Sequence, residues 1–501
     1  MFIYLSIIIV LVLSVFLYFT ILFIYYNYLF HQFKGPFALP LIGNCYTKES
    51  FNFVNYLIAL RKRYGKVFLF YGFWKPRLVV CEPIIIRRIL SDTKIFPKGS
   101  DYRIKFAYAF GEGLVTSIGD KHKKDKAIFS KYFVKNNIMK WTNIINKIGK
   151  NAINDLLASA SSSASSSASL LSVASGSSST YSAHGKSINI DEFFACLAFR
   201  TFLMFSTTTD TSVDKQREKH ICHLVSDGSC AMGNVIVYGI PLWSWLPPIQ
   251  TINKVMISVN SYFEEIIQHR YNMIKNNVNI EIDDCLSAMI EEKLTMKDMT
   301  DHFITLISAG HDTSAYFSSY LFYLLAKHEH IQEKLRNEIN SILKDRDIIT
   351  CDDVTEMIYL TKVMLETLRY YSIIPAISRV CIEETYIKEA SVTIPKGAEI
   401  LIPMSLVNRD PTIWENPSEF NPDRFEGKAT DFTLAKNGFF PFGYGSRVCI
   451  GNTFAQIESG IFICQMLRVF RIEQEPGFKL RLRTGISITA VDGVKVILKP
   501  L

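Results

Sequence analysis

The stretch Phe439–Gly460, FFPFGYGSRVCIGNTFAQIESG, holds one cysteine, Cys449, after an arginine and between two glycines, just before a helical pattern. A buried structural cysteine needs no such setting. A thiolate that ligates iron does, because it must be deprotonated, shielded from oxidants and approached closely by backbone. Gly445 and Gly451 permit turns and close packing against a flat ring. Backbone N–H groups after the cysteine, at a helix start, can hydrogen-bond the sulfur. Arg447 brings a cation that can pair with a carboxylate, and Phe442 covers the sulfur side.

The other cysteines do not compete for this role. The ten in the chain lie far apart with no CxxC pair, which excludes a zinc spacing and a dense disulfide framework and fits a reducing environment. His220, Cys222 and His223 stand together, but no second ligand pair completes four-coordination. The formal charge of +8 comes from dispersed basic residues, which fits a solvated surface and gives no sign of nucleic-acid binding.

The first thirty residues carry no charged side chain. A hydrocarbon core needs about 20 apolar residues in helix, so residues 1–30 read as a transmembrane anchor. A cleaved signal peptide would show a basic start, a shorter apolar run and a small-residue cleavage site, and none is present. Tyr25, Tyr26 and Tyr28 suit an interfacial belt. Residues 31–44, rich in Pro and Gly, read as a hinge, and 45–501 as one catalytic domain. Within it, 158–187 is a Ser/Ala-rich low-complexity insertion. Periodicity predicts a helix at 51–64, two strands within 65–83, and helices from Ile84 onward. It also predicts a long helical run at 295–339 broken near Glu329, a helix at 352–371, short strands at 386–404 and a terminal hairpin at 484–500. Residues 235–248, VIVYGIPLWSWLPP, can dip into the membrane interface.

Phe442 to Gly451, with its FxxGxRxCxG spacing, resembles the haem-binding loop of the cytochrome P-450 family. Glu366-Thr367-Leu368-Arg369 resembles the family's ExxR, and Phe420–Phe425 the segment supplying its third member, here Arg424. Ala309-Gly310-His311-Asp312-Thr313-Ser314 resembles the oxygen-binding turn of its long central helix. The four occur in the family's order, and the resemblance covers residues 35–501. It implies a mainly α fold with small β-sheets, a triangular helical prism around one buried haem, preceded here by the single N-terminal transmembrane helix.

The resemblance further implies haem b (iron-protoporphyrin IX) with Cys449 as axial ligand, and Phe442, Gly443, Gly451, Ala309 and Gly310 against the ring. Thr313 and Asp312 would deliver the protons that O–O cleavage requires. Glu366, Arg369 and Arg424 would form a structural triad, tolerable when buried only if fully hydrogen-bonded. Arg447 and Arg379 would bind the haem propionates. Where the family shows Trp and Arg four apart, this sequence has His122 and Lys126, both donors, the lysine without the bidentate fork. Lys121, Lys123, Lys124, Lys126 and Lys131 lie where an acidic reductase docks in the family.

The implied function is a monooxygenase inserting one atom of O₂ into a hydrophobic small molecule, with electrons from a reductase of the NADPH-cytochrome P-450 type. It would be a single-pass protein of the endoplasmic reticulum membrane, in contact with lipid and facing the cytoplasm. A haem-thiolate isomerase or dehydratase that uses no O₂ is an alternative, but such members tend to lose the acid–threonine pair that Asp312 and Thr313 retain. A non-catalytic haem-binding membrane protein is another, against which the intact oxygen turn speaks. Substrate contacts are expected near 98–119, 228–248, 373–377 and 485–489, segments that say hydrophobic and nothing finer.

Overall fold

The uncharged N-terminal run forms one helix, α1 (Phe2–Leu29), with its apolar side chains exposed along most of its length and long enough to cross a membrane. The computed structural model describes residues 2–44, 53–161, 186–209, 214–237, 240–276, 283–427, 434 and 438–501. Most of the Ser/Ala-rich insertion read at 158–187 falls outside these residues.

After α1 come α2 (Phe53–Tyr64), α3 (Pro83–Ser91), α4 (Ala107–Phe110), α5 (Gly119–Ser130) and α6 (Lys135–Ser161). Next are α7 (Ile190–Thr207), α8 (Lys215–Val237), α9 (Pro247–Lys275) and α10 (Cys285–Glu291). The central helix α11 (Met296–Lys327) starts where the Thr295 hydroxyl accepts from the Asp298 N–H. It is buried over most of its length, as a helix surrounded by other helices must be. It ends at His328, and α12 (Glu329–Leu343) follows, so the predicted break is where the sequence places it. The run read as one helix at 352–371 is instead two, α13 (Cys351–Glu356) and α14 (Ile358–Tyr370). The reason is a side chain: the Glu338 carboxylate of α12 accepts from the N–H groups of Tyr359 and Leu360, at 2.7 and 2.8 Å, and stabilises a second helix start. α15 (Met404–Val407) and α16 (Asn452–Val469) complete the helices used below.

The largest sheet has the order β1-β2-β7-β4, from β1 (Val67–Gly72), β2 (Lys75–Val80), β7 (Glu399–Ile402) and β4 (Ile377–Val380). Only its β2–β7 pair is parallel. β5 (Thr385–Ile387) pairs with β6 (Val392–Ile394). β3 (Lys186–Asn189), β11 (Lys495–Pro500) and β8 (Phe470–Gln474) form a second sheet, and β9 (Leu482–Thr484) pairs with β10 (Ile488–Ala490). The terminal hairpin read at 484–500 is therefore corrected: β10 turns back on β9, while β11 lies between β3 and β8.

One large core surrounds α11, and a smaller one lies between α2, α3 and the β1-β2-β7-β4 sheet. The segment read as a hinge is bonded into the latter. Leu69 N–H donates to the Lys34 carbonyl at 2.8 Å, and the Asn44 side chain accepts from Tyr71 N–H at 2.7 Å. A Cβ at Gly35 would come within 2.2 Å of the Leu69 oxygen, so this glycine marks a close backbone crossing.

Candidate active site

The cysteine loop is shaped by its backbone. Cys449 N–H donates to the Phe442 carbonyl at 2.9 Å, and Gly443 (φ +80°) and Gly445 (φ +73°) take the left-handed conformation. A Cβ at Gly445 would also meet the Leu90 carbonyl oxygen at 2.5 Å. Gly451 is different. Its φ is −87°, and a Cβ there would have only ordinary contacts, 3.8 Å to Phe133 and 4.0 Å to the Cys449 sulfur. Protein packing alone does not demand glycine at this position; its backbone hydrogen-bonds the sulfur.

Cys449 is exposed, unlike most of the free cysteines among the described residues, although protein atoms crowd around its sulfur. Burial accordingly pushes its thiol up, opposed by the Gly451 hydrogen bond and by Lys126 and Lys98. Around it stand cations from four parts of the chain. α5 contributes Lys126, whose Nζ donates to the Ser446 carbonyl at 2.9 Å. Arg447 donates to the Ser117 carbonyl at 2.6 Å. Arg379 is brought in by β4, and a backbone bridge between Lys98 and Arg379 places Lys98 beside it. None of these four makes an ion pair among the described residues, and the buried Nε of Arg379 has no hydrogen-bond partner.

Crowding of like charge in a buried place leaves its mark on each group. Burial, with Arg379 and Arg447 beside it, drives Lys98 well below the usual lysine range. Burial and then Arg379 bring Arg447 down to about 10. His122, also on α5, falls to about 3 through burial, helped by Arg447, Lys126 and Lys98, so it is a neutral imidazole at physiological pH. A set of cationic and neutral donors without acidic partners, beside an accessible sulfur, fits a planar metal ligand with carboxylate substituents. The two propionates and the iron of haem meet that description.

The second half of the site is the turn on α11. Ala309 is exposed and Thr313 half-buried, whereas their helical neighbours Ile307, His311, Asp312 and Ser314 are buried. One side of the turn thus faces open space. Thr313 Oγ1 donates to the Ala309 carbonyl at 2.5 Å. Gly310, which the resemblance sets against the ring, makes room for α7: a Cβ there would lie 2.6 Å from the Phe202 ring. The Phe202 ring in turn packs against Phe454 of α16 and Phe133, which ties the turn to the cysteine loop.

Asp312 points the other way, toward α8. Its Oδ1 accepts from Ser226 Oγ at 3.2 Å and lies 3.0 Å from Nδ1 of His311, whose Nε2 is 3.2 Å from the Cys222 sulfur. His311 Nδ1 is too poorly aligned to count as a hydrogen-bond donor to that oxygen. Beneath the same turn lies Glu458 of α16, fully buried and hydrogen-bonded to Ser314. Burial pushes its carboxyl up to about 8, so at neutral pH it carries a proton.

Glu366 and Arg369 are wholly buried on α14. Arg369 donates to both Glu366 oxygens at 2.7 and 2.8 Å, and Arg424 Nε donates to one of them at 3.0 Å. The remaining Arg369 donors reach the carbonyls of Asn408, Pro417 and Glu419. The triad is thus fully hydrogen-bonded, and it pins the 408–424 segment that precedes the cysteine loop.

The residues picked out in the sequence, Cys449, Arg447, Arg379, His122 and Lys126, come together, and Ala309 and Thr313 share the open face of one turn. Sequence reasoning missed Lys98, Glu458 with Ser314, and the Cys222–His311 contact. Lys98 is revealed only by strand pairing; Glu458 had a signal, a lone acid in the apolar run FAQIESGIFI.

Comparison with known proteins gives an independent result. The family model described as Cytochrome P450 matches residues 33–491. Cytochrome P450 3A12 of Canis lupus familiaris is 25% identical over 455 residues, covering 87% of this chain and 84% of that protein. Cytochrome P450 4F2 of Homo sapiens is 26% identical over 489 residues, with 91% and 86% covered. LUTEIN DEFICIENT 5 of Arabidopsis thaliana, a chloroplastic protein, is 26% identical over 464 residues, with 88% and 73% covered. Matched from end to end of its catalytic body, and carrying a cysteine loop whose surroundings suit the haem b and thiolate ligand of that family, the chain belongs to the cytochrome P450 family.

Proposed function

We propose that the protein is a haem-thiolate monooxygenase that inserts one oxygen atom of O₂ into an apolar organic substrate, using electrons from an NADPH-dependent flavoprotein reductase. It is held by α1 in the membrane of the endoplasmic reticulum with its catalytic body facing the cytoplasm. The observation that carries the reading is the convergence of Lys98, Lys126, Arg379 and Arg447, none of them in an ion pair among the described residues, on the accessible Cys449.

In this reading Cys449 ligates the iron, and the Gly451 backbone bonds the sulfur and tempers its electron density. Arg447, Arg379, Lys126 and Lys98 neutralise the propionates, and His122 donates to them as a neutral ring. The haem, when bound, supplies the reduction and activation of O₂. The protein manages protons. The Thr313 hydroxyl is spent on the Ala309 carbonyl and must turn from it to donate across the open face of the helix. Asp312, held by Ser226, is the acid that replenishes it from the α8 side. Protonated Glu458 beside Ser314 is a second proton store under the same turn. On α5, Lys123 and Lys124 point outward while His122 turns inward, so an acidic reductase docked on these lysines sits one helix away from Cys449.

The test is an absorption spectrum of the reduced, carbon-monoxide-bound protein. A strongly red-shifted Soret band is expected, and Cys449→Ala should abolish it. An ordinary haem–CO band in fresh wild-type protein, or an unchanged one in Cys449→Ala, overturns the assignment.

A further inference from the structure

Helices α7 and α8 meet along a row of residues spaced one turn apart on α7: Glu192, Cys196 and Arg200. Glu192 pairs with Lys219 at 2.8 Å and lies 3.7 Å from Nε2 of His223, and Arg200 pairs with Glu218 at 2.7 Å. These partners stand on the turns of α8 that also hold Cys222. Cys196 is thus set between two inter-helix ion pairs, and its thiol and that of Cys222 share a hydrogen bond.

The two thiols are unequal. Cys196 is partly exposed, whereas Cys222 is 2% exposed and belongs to the core around α11. Behind Cys222 stands His311, with Nε2 at 3.2 Å from the sulfur and its ring perpendicular to that of Phe199, 5.7 Å away. The bond between the thiols holds Cys196 below its ordinary value, against burial and with help from Lys219. The same bond, together with burial, pushes Cys222 well above it. Cys222 therefore keeps its hydrogen and donates it to Cys196. With that hydrogen spent, the Cys222 sulfur can only accept from His311, so Nε2 carries a hydrogen of the ring. A reachable sulfur with thiolate character, backed by a buried thiol already in contact with it, is the pairing of an attacking with a resolving cysteine.

We propose that Cys196 and Cys222 are a peroxide-reactive dithiol, in which hydrogen peroxide oxidises Cys196 and Cys222 then closes a disulfide between α7 and α8. The Cys196 sulfur attacks one peroxide oxygen and the O–O bond breaks. The released hydroxide takes the proton that Cys196 gave up and leaves as water, with Cys196 now a sulfenic acid. Cys222 attacks that sulfur, the S–O bond breaks, and the hydroxide carries off the Cys222 proton as a second water. Two thiols have then given two electrons to one peroxide. In the reducing environment that the cysteine usage fits, thiol exchange reopens the bond, so the modification is reversible. The proposal goes beyond the monooxygenase reading and needs no turnover, so the haem–CO spectrum and the thiol chemistry are decided separately.

The test is peroxide titration of the full-length protein in detergent, followed by blocking of free thiols with N-ethylmaleimide and tandem mass spectrometry. Cys230 is the internal control. It too lies partly exposed on α8, but burial pushes its thiol up and Arg483, not a second cysteine, touches it. Peptides joined through Cys196 and Cys222 should appear at least about tenfold faster than any oxidation of Cys230, and dithiothreitol should separate them. Cys222→Ser should stop at a sulfenic acid on Cys196, captured by dimedone. Cys196→Ser should leave Cys222 reduced, and Cys230→Ser should leave the cross-link intact. Wild-type mapping alone decides the matter where a serine variant does not fold. Cys196 and Cys222 both reduced at a peroxide level that oxidises Cys230 overturns the proposal. So does a sulfenic acid that persists on Cys196 in the wild type, or a disulfide from either cysteine to another partner.

Discussion

At the scale of single residues, the proton roles proposed for Thr313 of α11 and for Glu458 of α16 beneath it lead to separate predictions. Thr313 has a hydroxyl that already donates to the Ala309 carbonyl, so on the proposed mechanism removing it costs the helix little and the reaction much. Thr313→Ala should keep the fold and the haem–CO band but lower the yield of product per electron pair by about tenfold or more, with peroxide released instead. The ratio of product to NADPH consumed reads this directly. Glu458 acts on stability as well. Its carboxyl, pushed up to about 8 by burial, binds a proton in the folded chain at pH values where the unfolded chain has lost it. Stability contributed by this group is therefore complete below about pH 4.5 and falls as pH rises toward 8. Glu458→Gln cannot ionise, so its stability relative to wild type should improve across that window, by up to a few kcal/mol, and level off above it. Denaturant unfolding at a series of pH values measures the difference; parallel curves would show that Glu458 is ionised in the fold.

At the scale of elements, the Glu366–Arg369–Arg424 triad joins α14 to the segment before the cysteine loop, and every one of its polar atoms is committed. Glu366→Gln leaves a buried guanidinium short of its counter-charge and should destabilise the protein by about 3–5 kcal/mol. Because the loop hangs from this scaffold, the variant should also release haem faster, which absorbance in the presence of an apo-globin acceptor follows. The triad was legible through the family resemblance of Glu366–Arg369 and Phe420–Phe425; the spacing of Glu366 and Arg369 alone fits an ordinary surface pair. So were the cysteine loop, in which Gly443 and Gly445 answer to positive φ, and the break at His328, where the apolar period itself stops. What sequence could not give depends on side chains reaching between elements. Glu338 starts α14 from a neighbouring helix, and Phe202 explains Gly310 from α7. Lys98 joins the cation cluster only because it bridges to β4, and β11 leaves the expected hairpin because β3 and β8 both offer it a partner. Local period carries none of these.

At the scale of the whole molecule, the question is how firmly the anchor is joined to the body. Composition divides them near residue 30, but the contacts do not. The Phe19 ring lies 5.4 Å from that of Trp74 at the β1–β2 turn, and Phe23 lies 5.6 Å from Tyr71. Phe30 is 2% exposed and belongs to the core of the first sheet. Gln32 donates to the Thr393 carbonyl at 2.8 Å. The last third of α1 and the segment after it are therefore packed against the first sheet and its core. Trp243 and Trp245, exposed and stacked at 5.6 Å, suit a second contact with the lipid interface. Two deletions separate the possibilities. Removing residues 3–18 takes away side chains that are exposed, so the unfolding midpoint of the detergent-solubilised protein should not move. Removing residues 2–33 also strips Phe30 from a packed core and breaks the Gln32 bond, which should cost about 2–5 kcal/mol. If both forms unfold at the same denaturant concentration, the anchor is a tether on a free hinge, as composition alone suggests. If only the longer deletion is weakened, the membrane helix and the enzyme are one folded unit, and the body's tilt on the bilayer is set by the β1–β2 turn.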